Sequence, residues 1–113
     1  MTAAQHASLA AGRWHTLSLV TQLANVGSEV ERALNWHAKR NDEYSRLAFL
    51  RALELMNLTI ADPRHRRRLK ELTRLREALL DYFLGSNEFR STDKIWRNYF
   101  YGFAYASAME RKE

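Results

Sequence analysis

The most chemically loaded stretch of this 113-residue sequence is Arg64-His65-Arg66-Arg67-Arg68, directly after Asp62-Pro63. Aspartate is a good helix N-cap and proline is tolerated at the first helical position, so the pair predicts that these arginines open a helix. That helix end has free N–H groups and the positive end of the dipole, which favours anions and disfavours cations. A cluster of cations there therefore predicts anion binding. Guanidinium forks and first-turn N–H groups would together hold a group such as a phosphate. Arg64, Arg66, Arg67, Arg68 and Lys70 are the expected ligands. The competing expectation is that the arginines pair with Asp62, Glu54 or Glu110, or stay solvated.

A second pattern lies near the end of the chain. Lys94, Arg97, Asn98, Tyr101 and Tyr105 recur at helical spacing on one face. Cations alternating with tyrosines suit a nucleic-acid backbone with stacked bases, and equally a protein interface. The plain alternative is tyrosines lying over a helix edge with their hydroxyls in water.

Catalytic and metal signatures are missing from the sequence. There is no cysteine, so no thiol nucleophile and no thiolate metal site. Four histidines and thirteen acids occur, but with no HxxxH, HExxH or repeated ExxH spacing to place two ligands on one face. No glycine-rich phosphate loop or G-x-S-x-G elbow occurs. No cofactor and no metal are implied, and the balance falls on binding.

Four predicted helices must position these residues. The first, roughly Thr16 to Arg40, repeats Val20, Leu23, Gly27, Val30, Leu34 and His37 on a 3–4 spacing that indicates near-parallel packing. Gly27 weakens a helix by about 1 kcal/mol relative to alanine, so its expected use is close approach of a neighbour. Asn41 or Asp42 caps the second, which runs to about Ile60 and is apolar over most of its circumference. Such a helix touches several neighbours or lies at a dimer interface. The third follows Asp62-Pro63 to Leu84, with His65, Leu69, Leu72, Arg76, Leu79 and Phe83 on its seam and Gly85 as an expected left-handed C-cap. Ser91 or Thr92 caps the fourth, Asp93 to about Glu110, with Trp96, Tyr99, Phe103 and Ala106 as the expected buried line. Arg51 and Arg76 fall inside apolar stripes, which calls for acidic partners, with Glu29, Glu77 and Asp81 available. Connections this short favour antiparallel neighbours, so the expected fold class is all-α, an up-down four-helix bundle. Residues 1–14 read as a flexible N-terminal arm, and 15–113 as one four-helix domain.

Net charge is +5, and residues 64–76 hold seven basic side chains against Glu71 alone. That segment carries +6, which leaves −1 on the rest of the chain. The expected partners are therefore anionic, a nucleic acid or an acidic protein, together with a second copy of the chain. No apolar run is long enough to cross a bilayer, and nothing at the N-terminus reads as a signal peptide. No membrane partner and a cytoplasmic location are expected.

The strings Gln22 to Ala33 (QLANVGSEVERA), Arg51 to Leu55 (RALEL), Asp62-Pro63-Arg64 and Leu75 to Phe83 (LREALLDYF) resemble a group of small uncharacterised prokaryotic four-helix proteins. That resemblance implies no activity. More loosely, the chain resembles HEPN-type helical domains, bundles that often dimerise and sometimes work beside a nucleotidyltransferase. Nuclease members carry Arg-x4–6-His, and Arg32-Ala-Leu-Asn-Trp-His37 has that spacing. The resemblance implies that Arg32 would hold charge at a phosphate while His37 moves a proton. Here the motif lies on the first helix rather than late in the chain, and Ala33 stands where a polar residue is common. The sequence thus supports a non-enzymatic module binding an anionic partner, with a HEPN-like ribonuclease or a structural subunit of a larger assembly as alternatives.

Overall fold

The computed structural model describes residues 12–112, which are helical with no strand among them. A helical turn over 12–14 precedes α1 (Leu19–Ala38), α2 (Asp42–Ala61), a 3-10 segment (Pro63–Arg68), α3 (Leu69–Leu84) and α4 (Asp93–Lys112). Most of the expected N-terminal arm, residues 1–11, lies outside the described residues. Its last residue, Trp14, is buried, and its indole N–H donates to Thr59 Oγ1 at 3.0 Å.

The helix boundaries follow from side-chain caps. Ser18, not Thr16, starts α1 by accepting from the Thr21 N–H. The helix stops at Ala38, because Arg40 takes a left-handed φ of 61° and cannot continue it. Asn41 caps α2 through the Tyr44 N–H, and Thr92 caps α4 through the Ile95 N–H. Asp62 does cap the next segment, but that segment is a 3-10 turn. The α-helix begins only at Leu69. The break falls at His65, whose backbone (φ −103°, ψ 22°) leaves helical geometry as its ring turns inward to bond Gln22. Gly85 is not a left-handed cap either, since its φ is −102°. The turn is instead held by Asp81, whose carboxylate accepts from the N–H groups of Glu88 and Phe89, with Asn87 taking the positive φ.

In packing, α1 is the central element, lying against α2 on one side and α4 on the other. The backbone of α3 comes close chiefly to α2. Contacts from Thr21 to Ser107 and from Glu31 to Arg97 show that α1 and α4 run in opposite directions. Between these points Phe100 sits over Gly27, where an added Cβ would stand 2.6 Å from Phe100 Cβ. The expected close approach is therefore real. It also shifts the buried line of α4, which is Trp96, Phe100 and Ser107, while Tyr99 is 44% exposed. The remaining core is Leu23, Val26, Val30, Ala33 and Leu34 of α1, Ala48, Phe49, Ala52 and Met56 of α2, and Leu72, Leu75 and Leu79 of α3. Phe49 and Phe83 stack across the α2–α3 contact with centroids 4.5 Å apart.

Candidate anion-binding site

The basic run divides into two parts with different surroundings. Arg64 is committed inward. Its guanidinium bonds both oxygens of Asp62, the shortest contact being 2.6 Å, and also donates to the Leu17 carbonyl. Asp62 is 2% exposed and takes a further bond from Gln22 Nε2 at 3.1 Å. Gln22, fully buried, also donates to the Trp14 carbonyl and accepts from His65 Nε2 at 2.8 Å. The network is thus Arg64–Asp62–Gln22–His65, tying the start of α1 to the end of α2. Arg64 above all holds the Asp62 carboxyl well below the usual carboxylate range, against the opposing effect of burial. Burial pushes the His65 imidazole below its ordinary value, against the nearby charge of Asp62.

Arg66, Arg67, Arg68, Lys70 and Arg74 are all exposed. Among the described residues the one ion pair made by this set is Arg68–Glu71 at 3.7 Å, with both side chains mostly in solvent. The cluster is therefore a largely uncompensated positive surface. Its dipole argument weakens, because these residues lie in a 3-10 turn and the first turn of α3. What remains is the density of charge.

Beside this surface a groove of about 470 Å³ opens between α1, the 3-10 turn, α3 and α4. Leu19, Val20 and Leu23 line it with Leu72, Leu75 and Phe103, and Arg67, Arg68 and Glu71 add charged groups to the same lining. Tyr99 faces it from α4. Burial first, and then the Glu71 charge, raises the Tyr99 hydroxyl above its usual range. The sequence reading missed this groove, since each of its leucines looks like an ordinary core position. It also missed Gln22, although Leu19, Gln22 and Val26 share one helical face.

The other expected site residues lie elsewhere. Arg97 bonds Glu31 at 3.3 Å and Asn35 at 3.0 Å, so it serves the α1–α4 contact. Lys94, Tyr101 and Tyr105 are exposed, the tyrosines at 69% and 60%. Arg97 and Tyr101 border a separate hollow of about 220 Å³, which shares no residue with the basic groove. The two expected basic patches are therefore distinct.

Arg32 and His37 are not brought together. Five residues apart on a helix means about 140° of rotation. Arg32 borders a hollow between α1 and α2 and pairs with Glu29 at 3.3 Å, while His37 borders another with Asp42 at 3.4 Å. In the second hollow Tyr82 donates a short hydrogen bond to Asp93. Burial and that carboxylate push the phenol up to about 12. The expected acidic partners of the stripe arginines are also corrected. Arg51 is exposed, and Arg76 donates to the Asn57 amide oxygen at 2.8 Å. Among the described residues no three His, Asp or Glu side chains converge as a metal site, and no helix is long and apolar enough to cross a membrane.

Comparison with family models, curated proteins and solved structures gives no match to this chain. The all-helical fold and the geometry of these surfaces carry the functional reading.

Proposed function

We propose that this protein is a non-enzymatic interaction module that binds a polyanion through Arg66, Arg67, Arg68 and Lys70, with Arg74 one helical turn further on. The observation that carries this reading is the contrast within one run: Arg64 is paired with Asp62, whereas among the described residues its basic neighbours have no ionic partner but the exposed Glu71 beside Arg68. A nucleic-acid backbone suits such a surface, because closely spaced guanidiniums displace condensed counterions. Fluorescence anisotropy with a labelled RNA oligonucleotide across a salt series tests it. Binding should weaken steeply with salt and disappear in the Arg66/Arg67/Arg68→Glu variant. Retained affinity in that variant would remove the assignment, and binding of an acidic protein instead of RNA would reassign the partner.

The arrangement reads as an up-down four-helix bundle, supported by the opposite directions of α1 and α4. A homodimer is favoured by one specific feature. Tyr44, Leu47 and Leu50 on α2 are 48%, 52% and 41% exposed, an apolar strip three residues apart along the helix. Light scattering checks this, since a monomer at working concentration argues against it. Nothing in the placement of Arg32 and His37 favours the ribonuclease alternative.

A further inference from the structure

The groove beside the basic cluster has a use that a polyanion-binding surface does not need. A phosphate backbone has no occasion for an apolar lining, yet Leu19, Val20, Leu23, Leu72, Leu75 and Phe103 share the wall of this groove with Arg67 and Arg68. We infer that this groove binds one long-chain carboxylate, with its hydrocarbon tail on the apolar lining and its head at Arg67 and Arg68. The inference goes beyond the polyanion reading, sharing only these two arginines with it.

Three observations support it. The volume, about 470 Å³, falls within the range of roughly 300–1,000 Å³ typical of sites that enclose a small molecule. The lining joins both chemistries that an amphiphile requires, apolar side chains of α1, α3 and α4 together with Arg67, Arg68 and Glu71. Charge then sets the kind of head group. Arg64 and Asp62 cancel as a bonded pair, and His65 is held in its bond to Gln22. Arg67 and Arg68 against Glu71 leave a single positive charge, which matches a monoanion. The planar guanidinium fork fits a carboxylate in bidentate fashion.

Calorimetric titration of the whole chain with octanoate, decanoate and dodecanoate, each below its micelle concentration, tests the proposal. Dodecanol serves as the neutral control. Affinity should tighten roughly three- to fourfold for each methylene added. Dodecanoate should bind about tenfold tighter than dodecanol, and Arg67→Gln/Arg68→Gln should erase that preference while leaving dodecanol binding in place. Val20→Trp, which fills the groove from a half-buried position, should abolish binding of both without loss of helical circular dichroism. Bound dodecanoate should also raise the unfolding midpoint. No binding by the wild type, affinity independent of chain length, equal affinity for dodecanol, or a lowered midpoint overturns the proposal. RNA binding without carboxylate binding refutes the groove alone, and carboxylate binding without RNA binding refutes the polyanion surface alone.

Discussion

At one end of the molecule, where α2 runs into the 3-10 turn, His65 and Asp62 stand 3.4 Å apart with 9% and 1% of their side chains exposed. At the other, where α1 gives way to α2, His37 and Asp42 stand at the same 3.4 Å with 69% and 86% exposed. The residue types and the distance are alike, but the consequences are not. The buried pair is enclosed by Gln22 and Arg64 in a network that joins three segments. Its exposed counterpart stands in solvent and makes no further side-chain hydrogen bond among the described residues. Burial, rather than pairing, decides which ionic residues hold this fold and which remain available to a partner.

The contrast can be broken most directly at Asp62. Replacing it with alanine takes a partner from the Arg64 guanidinium and from Gln22 and removes the cap of the 3-10 turn. We expect a loss of about 2–4 kcal/mol in chemical denaturation, from the missing cap and the buried Gln22 amide left without its carboxylate acceptor, since Arg64 is 46% exposed and regains water. A change below about 1 kcal/mol would place the network outside the set of interactions that hold the fold.

Acidification sharpens the same point. The folded His65 binds its proton less readily than an unfolded histidine, whose ordinary value is 6.5. Its contribution to stability is therefore complete above that pH and is lost as the pH falls below it. Asp62, depressed below 3.8, adds a second loss of the same sign once the pH drops under that value. Denaturation midpoints measured over a pH series should fall monotonically below about 6.5. His65→Gln should flatten the upper part of that curve.

The exposed cluster should behave in the opposite way. Arg66/Arg67/Arg68→Glu should leave the unfolding midpoint and helicity essentially unchanged while RNA affinity disappears, since only Arg68 has an ionic neighbour. An unfolded variant would show that the cluster is structural. The smallest effect belongs to the exposed pair. His37→Ala should alter stability by no more than about 0.5 kcal/mol. Any RNA cleavage in the preparation should be the same with and without His37, and a loss confined to the variant would revive the ribonuclease alternative.

Much of the architecture could be read from local chemistry. Asn41 and Thr92 declare their helices because a cap is a contact between residues three apart, and Asp62-Pro63 marks a boundary for the same reason. Where the reading failed, a distant partner decided the outcome. The arginine run became a 3-10 turn because His65 reaches Gln22, 43 residues away. On α4, Phe100 replaced Tyr99 on the buried line because the notch that admits it lies on α1, at Gly27. Arg76 found an amide on α2 rather than Asp81, which is occupied by the turn that follows it. The anion-binding residues were legible as a charge surplus. Which of them is neutralised was not, since the Asp62 carboxylate that claims Arg64 is itself fixed by Gln22.

Gly27 also sets how the molecule breathes. With Phe100 seated where a Cβ would stand, α4 cannot slide along α1 without leaving that notch, so α1, α2 and α4 should open together at a cost near that of global unfolding. The third helix is not held this way, because its backbone approaches chiefly α2. Amide hydrogens of α3 should therefore exchange first, in a local opening that spares the other three helices. Since α3 supplies Leu72 and Leu75, that opening is also what would admit a guest to the groove. A bound guest would be recorded first as slowed exchange along α3, with the other helices slowed only as far as global unfolding is.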